Sequence, residues 1–138
     1  MAEQSHSIKF DGYWRDENKE AVPATSGIYC VYSCTFDVTT KKVQLKNLIY
    51  IGESENINAQ IANHEKYEAW KKYLEAGQQL CFTYGEVALE NRSRCAAAMI
   101  FKHKPPENTE FTDDFQFDKT TISLSGYTYR LTESFTSP

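Results

Sequence analysis

A chain of 138 residues with 41% hydrophobic and 14% aromatic side chains can bury a core and is too apolar to remain disordered, so a single domain over residues 1–138 is expected. No apolar run approaches the roughly 18–20 residues that cross a bilayer, and the opening "MAEQSHSIKF" lacks the apolar centre of a secretory leader, which points to a soluble cytoplasmic protein with no membrane partner. The net charge of −4 excludes a uniformly basic polyanion binder, yet residues 41–104 carry ten Lys/Arg against seven Asp/Glu, between ends with three against six and two against six.

Along the chain, "SIKFDGYW" (7–14) reads as a short strand and "RDENKEAVPATS" as a polar loop stopped by Pro23. Residues 27–34 alternate, with Ile28, Cys30, Tyr32 and Cys34 on one face and Tyr29, Val31 and Ser33 on the other. "TFDVTTKKVQLKN" is a hairpin connection leading into the strand "LIYI", which ends at Gly52. Ser54 is a candidate N-cap for a helix that sets Ile57 and Ile61 on one row and Asn56, Gln60 and His64 on the next, one turn apart. "EKYEAWKKYLEAG" predicts a second helix with Tyr67, Trp70 and Leu74 on one face and Gly77 as its C-cap. "QLCFTYGEV" is the third strand, and "NRSRCAAAMIFKHK" is a helix that Pro105–Pro106 ends. The alternation that follows turns at Ser125–Gly126, predicting a C-terminal β-hairpin. Mixed elements with hairpin-length connections favour α+β over a doubly wound parallel sheet.

The four cysteines (Cys30, Cys34, Cys81, Cys95) match neither a zinc ligand spacing nor a CxxC pair, and read as buried thiols.

Two triplets carry a resemblance. "GIY" at 27–29 and "YIG" at 50–52, on successive strands, followed by "ESENINAQIANHE" and by "AAAMIFKHKPPEN", resemble the signature of the GIY-YIG nuclease superfamily over about eighty positions, roughly 26–108. The conjunction gives the match its specificity, because either triplet alone is common. The resemblance implies a small three-stranded antiparallel sheet flanked by helices, with residues 109–138 as a β extension. It also implies hydrolysis of DNA phosphodiesters with one divalent metal, Mg²⁺ or Mn²⁺. Carried over, Tyr29 and Tyr50 are the tyrosines that flank the attacking water, His64 bonds near them and Asn108 closes the site. The family's arginine falls on Gln60 and its metal-binding glutamate on Ala96.

Both departures weaken the expected chemistry. In-line attack builds charge on the non-bridging oxygens, which a guanidinium meets bidentately and a neutral amide does not. Losing one such preorganised donor costs on the order of 10²–10³ in rate. Mg²⁺ needs one or two carboxylates, and Ala96 offers none. Three functions therefore stand open: an endonuclease in inactivated form, a module on the same fold that binds nucleic acid or protein without cutting, and a nuclease whose metal ligand has moved to Glu53 or Glu90. DNA is the expected partner, with Lys71, Lys72, Arg92, Arg94, Lys102 and Lys104 as candidate phosphate contacts. A protein partner or a homodimer is the alternative. Read individually, Arg92 and Arg94 are explained as well by exposed first-turn arginines as by phosphate contacts, and His103 by a solvated helix end.

Overall fold

The computed structural model describes residues 3–62 and 64–137. Its strands are β1 (Gln4–Arg15), β2 (Gly27–Asp37), β3 (Lys42–Ser54), β4 (Gln79–Glu86), β5 (Thr120–Gly126) and β6 (Ser134–Ser137). Its helices are a 3-10 turn (Asp16–Ala21), α1 (Ile57–Ala62), α2 (Tyr67–Lys71) and α3 (Leu89–His103).

The protein is α+β, but the expected three-stranded antiparallel sheet is incorrect. All six strands join one mixed sheet in the order β3-β2-β4-β1-β5-β6. The antiparallel trio β3-β2-β4 lies within it, and β1 extends it by pairing antiparallel with β4 and parallel with β5. β1 is longer than its local alternation suggests because partners on both sides satisfy its backbone and because Ile8 and Phe10 are buried. The C-terminal strands pair with each other, yet β5 also pairs with β1, so they are not a separate hairpin. The reversal occupies residues 127–133, not Ser125–Gly126.

Alternation along β2 divides the core in two. Ile28, Cys30, Tyr32 and Cys34 pack with Cys95–Ile100 of α3 on one side of the sheet. Tyr29 and Val31 pack with Ile57 and Ile61 of α1, Trp70 of α2 and Phe82 on the other. The small residues Ala96, Ala97 and Ala98 allow α3 to lie close against the sheet, and all three are buried. All four cysteines are free and buried, as their spacing predicts.

The helices between β3 and β4 are shorter than their sequence pattern. Asn56 caps α1, its Oδ1 accepting from the Ala59 N–H at 3.0 Å, so the cap is not Ser54. The second helix stops at Lys71, after which Tyr73 and Leu74 bond three residues back, to Trp70 and Lys71. That tighter winding ends the helix six residues before Gly77, which instead occupies a left-handed turn position at φ 82°.

The glycine of each triplet marks a close approach. A Cβ on Gly52 would lie 2.4 Å from Cζ and Oη of Tyr29, the residue opposite it in the β2–β3 register. A Cβ on Gly27 would lie 2.3 Å from the carbonyl oxygen of Gly85. We expect Gly52→Ala to cost about 1–3 kcal/mol, as overpacking does in a filled core. Urea unfolding should also show that the Gly52→Ala/Tyr29→Ala double variant loses less than the sum of its single changes, because removing the ring removes the clash.

Candidate functional site

β3 is the outermost strand, and the segment after α3 is laid along its free edge. The Ile51 N–H donates to Asn108 Oδ1 and Asn108 Nδ2 donates to the Ile51 carbonyl, both at 2.9 Å, while the Glu107 N–H donates to the Ile49 carbonyl at 3.1 Å. Asn108 thereby directs both its amide oxygen and its amide nitrogen to one residue of backbone. A cleft of about 340 Å³ opens beside it, lined by Tyr29, Tyr50, Ile51, Gly52, Glu53, Gln60, Glu65, Lys66, Ala96, Ile100 and residues 108–111.

The structure brings the triplet tyrosines together. The ring centroids of Tyr29 and Tyr50 are 6.2 Å apart, with His64 at 6.1 Å and 5.5 Å from them. Trp70 underlies the group, 4.5 Å from the imidazole and 5.4 Å from Tyr50. Gln60 of α1 and Ala96 of α3 line the same cleft. His64 is not on α1, however. It lies in the junction between α1 and α2, where its Nδ1 accepts the Lys66 N–H at 2.9 Å and its carbonyl accepts the Tyr67 N–H.

The electrostatics follow from burial. Tyr29 is held far above the ordinary tyrosine range, first by burial and then by Tyr50, with the neighbouring Gln60 side chain opposing the shift. Tyr50 is raised by burial and then by Glu110, Glu65 and Glu107. His64 is lowered by burial, and accepting at Nδ1 places its single proton on Nε2. The cleft therefore presents two neutral phenols and a neutral amide, with a neutral imidazole packed against the phenols but outside the lining. Such groups orient a water or a phosphate oxygen by hydrogen bonds but carry no positive charge to a developing anion.

Two of the charges lining the cleft, Glu53 and Lys66, are already engaged. Glu53 accepts from Arg92 Nε at 2.5 Å and from Ser93 Oγ at 3.1 Å. Lys66 faces Glu107 at 3.8 Å. The carboxylate that the resemblance would put at position 96 is missing, since Ala96 has no side-chain oxygen; Glu53 is held by Arg92, and among the described residues no three His, Cys, Asp or Glu side chains are grouped to hold an ion.

None of the six basic residues singled out by sequence lines this cleft. Arg92 also donates to Ser26 Oγ at 3.1 Å. Arg94 binds Thr120 Oγ1 at 2.6 Å and the carbonyls of Asp118 and Lys119 at 2.9 Å and 3.0 Å, tying α3 to the start of β5. Lys71 pairs with Glu68 at 3.7 Å, and Lys104 donates to the Thr112 carbonyl with its ammonium over Phe101. Lys72 and Lys102 are exposed. His103 is not a solvated end: its Nδ1 donates to the Met99 carbonyl at 2.9 Å and its Nε2 accepts the Thr132 N–H at 2.9 Å. The sequence reading did not anticipate Trp70 as the floor of the site, or Glu110 and Phe111 on its rim. No local pattern marks either feature, because a long-range approach creates both.

No family model, curated protein or solved structure matches the chain. No helix among the described residues is long and apolar enough to cross a membrane.

All three histidines, His6, His64 and His103, are lowered from the ordinary 6.5, in each case chiefly by burial. Below 6.5 the unfolded chain therefore binds protons that the folded chain still refuses, so stability falls as pH drops through that window and is level above it. Urea midpoints at about pH 5.5 should lie below those at about pH 7.5, within a range above ordinary carboxylate titration. His64→Gln and His103→Gln should each show a smaller difference between the two conditions.

Proposed function

We propose that this chain is a GIY-YIG-like DNA endonuclease in inactivated form, a cytoplasmic phosphodiester hydrolase whose cleft keeps its neutral hydrogen-bonding groups and lacks the cation and metal anchor. One observation carries the reading. Gln60 and Ala96, from helices on opposite faces of the sheet, border the same cleft as Tyr29 and Tyr50. Those are the two positions where the resemblance calls for an arginine and a glutamate.

Tyr29 and Tyr50 would hold water and a phosphate oxygen between them, with His64 beside them as a neutral donor. At position 60 a guanidinium would meet the transferring phosphate, where the amide offers no charge. Hydrolysis by the chain as it stands is therefore absent or very weak. Relocation of the metal ligand to Glu53 is disfavoured, because opening the Arg92–Glu53 pair would leave a guanidinium that is 16% exposed without its partner. Glu90, the other candidate, does not line the cleft.

The binding-module reading is favoured by a separate observation. Glu53 is paired with Arg92 and Lys66 faces Glu107, so two of the cleft's charges are balanced within the chain. Binding of DNA that weakens steeply with added salt, with no cleavage in any variant, would select it.

The deciding experiment is Gln60→Arg with Ala96→Glu, assayed on plasmid, short duplex and single-stranded DNA with Mg²⁺ or Mn²⁺. The double variant should cut. Each single variant should do far less, because groups acting on one transition state are non-additive. Adding Tyr29→Phe should lower the rate. A double variant that is folded by circular dichroism and cuts none of these substrates overturns the endonuclease reading.

A further inference from the structure

The cleft rim carries an aromatic ring that packing does not explain. Phe111 is 39% exposed and lines the cleft together with Tyr50 and Glu110. Its φ is 62°, in the left-handed region that bulky side chains avoid. A conformation of this kind persists only where the neighbouring chain fixes it. Here the chain is fixed on both sides. Asn108 is bonded twice to Ile51, and the carbonyl of Thr112 accepts the Lys104 ammonium, which the Phe101 ring holds from below at 4.3 Å. The loop thus holds a partly exposed aromatic residue in a strained conformation at the rim of the cleft.

Resting on the nucleic-acid reading above, we infer that Phe111 is the platform on which the cleft stacks an unpaired nucleobase. The rim favours a base over a phosphate at this end. Glu110, adjacent to Phe111 in the chain, repels the sugar-phosphate chain, while its carboxylate can accept from the exocyclic amino group of cytosine. The phosphate is left to the end bordered by Tyr29 and Gln60. A base inside a duplex has no free face, so the substrate class is single-stranded DNA or a nucleotide turned out of the helix.

The test uses the full chain and a short single-stranded DNA containing 2-aminopurine, whose fluorescence is quenched by stacking, titrated at low salt. The unmodified chain should bind and quench. Phe111→Ala and Phe111→Leu should bind about tenfold more weakly, or worse, with the quench lost, while Phe111→Trp should retain both. Circular dichroism and thermal unfolding establish that each variant is folded. Phe111→Ala that binds and quenches like the parent overturns the inference and leaves the nucleic-acid reading standing. Phe111→Leu that binds and quenches fully also overturns it, because the contact would then be generic apolar packing. Absence of binding to any oligonucleotide by both the parent and the Gln60→Arg/Ala96→Glu variant overturns the nucleic-acid reading itself, and this inference with it.

Discussion

The ring of Tyr29 crosses the backbone of Gly52 with no room for a methyl group, and much of the candidate site follows from that contact. It fixes the β2–β3 register, because Tyr29 and Gly52 are opposite one another only in that alignment. With the register fixed, Tyr50 falls on the same side of the sheet as Tyr29, and Ile51 presents its N–H and carbonyl to the outer edge for Asn108. The two triplets thus have a packing reason to be spelled as they are. Signature residues of this kind locate a geometry, and whether chemistry occurs there depends on the charged groups around it.

Those charged groups are where this cleft is unusual. Burial keeps both tyrosines and the histidine neutral, and the nearby arginine is paired with Glu53. Phosphoryl chemistry depends almost wholly on positioning and electrostatics, since the protein contributes little covalent chemistry to it. On the proposed reading, the positioning groups are present and the guanidinium that would supply the countercharge is missing. Binding and cleavage can therefore separate, and a cleft without that countercharge can be sound as a structure while being poor as a catalyst.

The sequence disclosed what is local and withheld what is distant. The two-residue alternation in Ile28–Cys34 correctly sorted side chains between the two halves of the core, and the third strand and the alanine-rich helix lie where their patterns put them. The sheet was misjudged because strand partners leave no mark on either strand alone: nothing in "SIKFDGYW" announces β5 more than a hundred residues away. The helix carrying Gln60 was drawn too long for a similar reason, since the bond from Lys66 to His64 competes with helix continuation. Arg94 and His103 looked like surface groups because their partners, Thr120 and Thr132, belong to a later part of the chain. Phe111 is invisible to pattern reading, because a residue's left-handed backbone is dictated by its anchors.

The bonds that Glu107 and Asn108 make to β3 also protect the molecule. An outermost strand with bare N–H and C=O groups is a template on which another chain can add, the usual beginning of edge-to-edge aggregation. Here Ile49 and Ile51 are capped by the chain itself, and the Lys46 carbonyl accepts from Arg130 Nε at 3.2 Å. The opposite border of the sheet is β6, only four residues long. The same side chain that frames the cleft therefore shields part of an apolar edge strand, so a substitution chosen to disable the site at Asn108 would be confounded by loss of solubility.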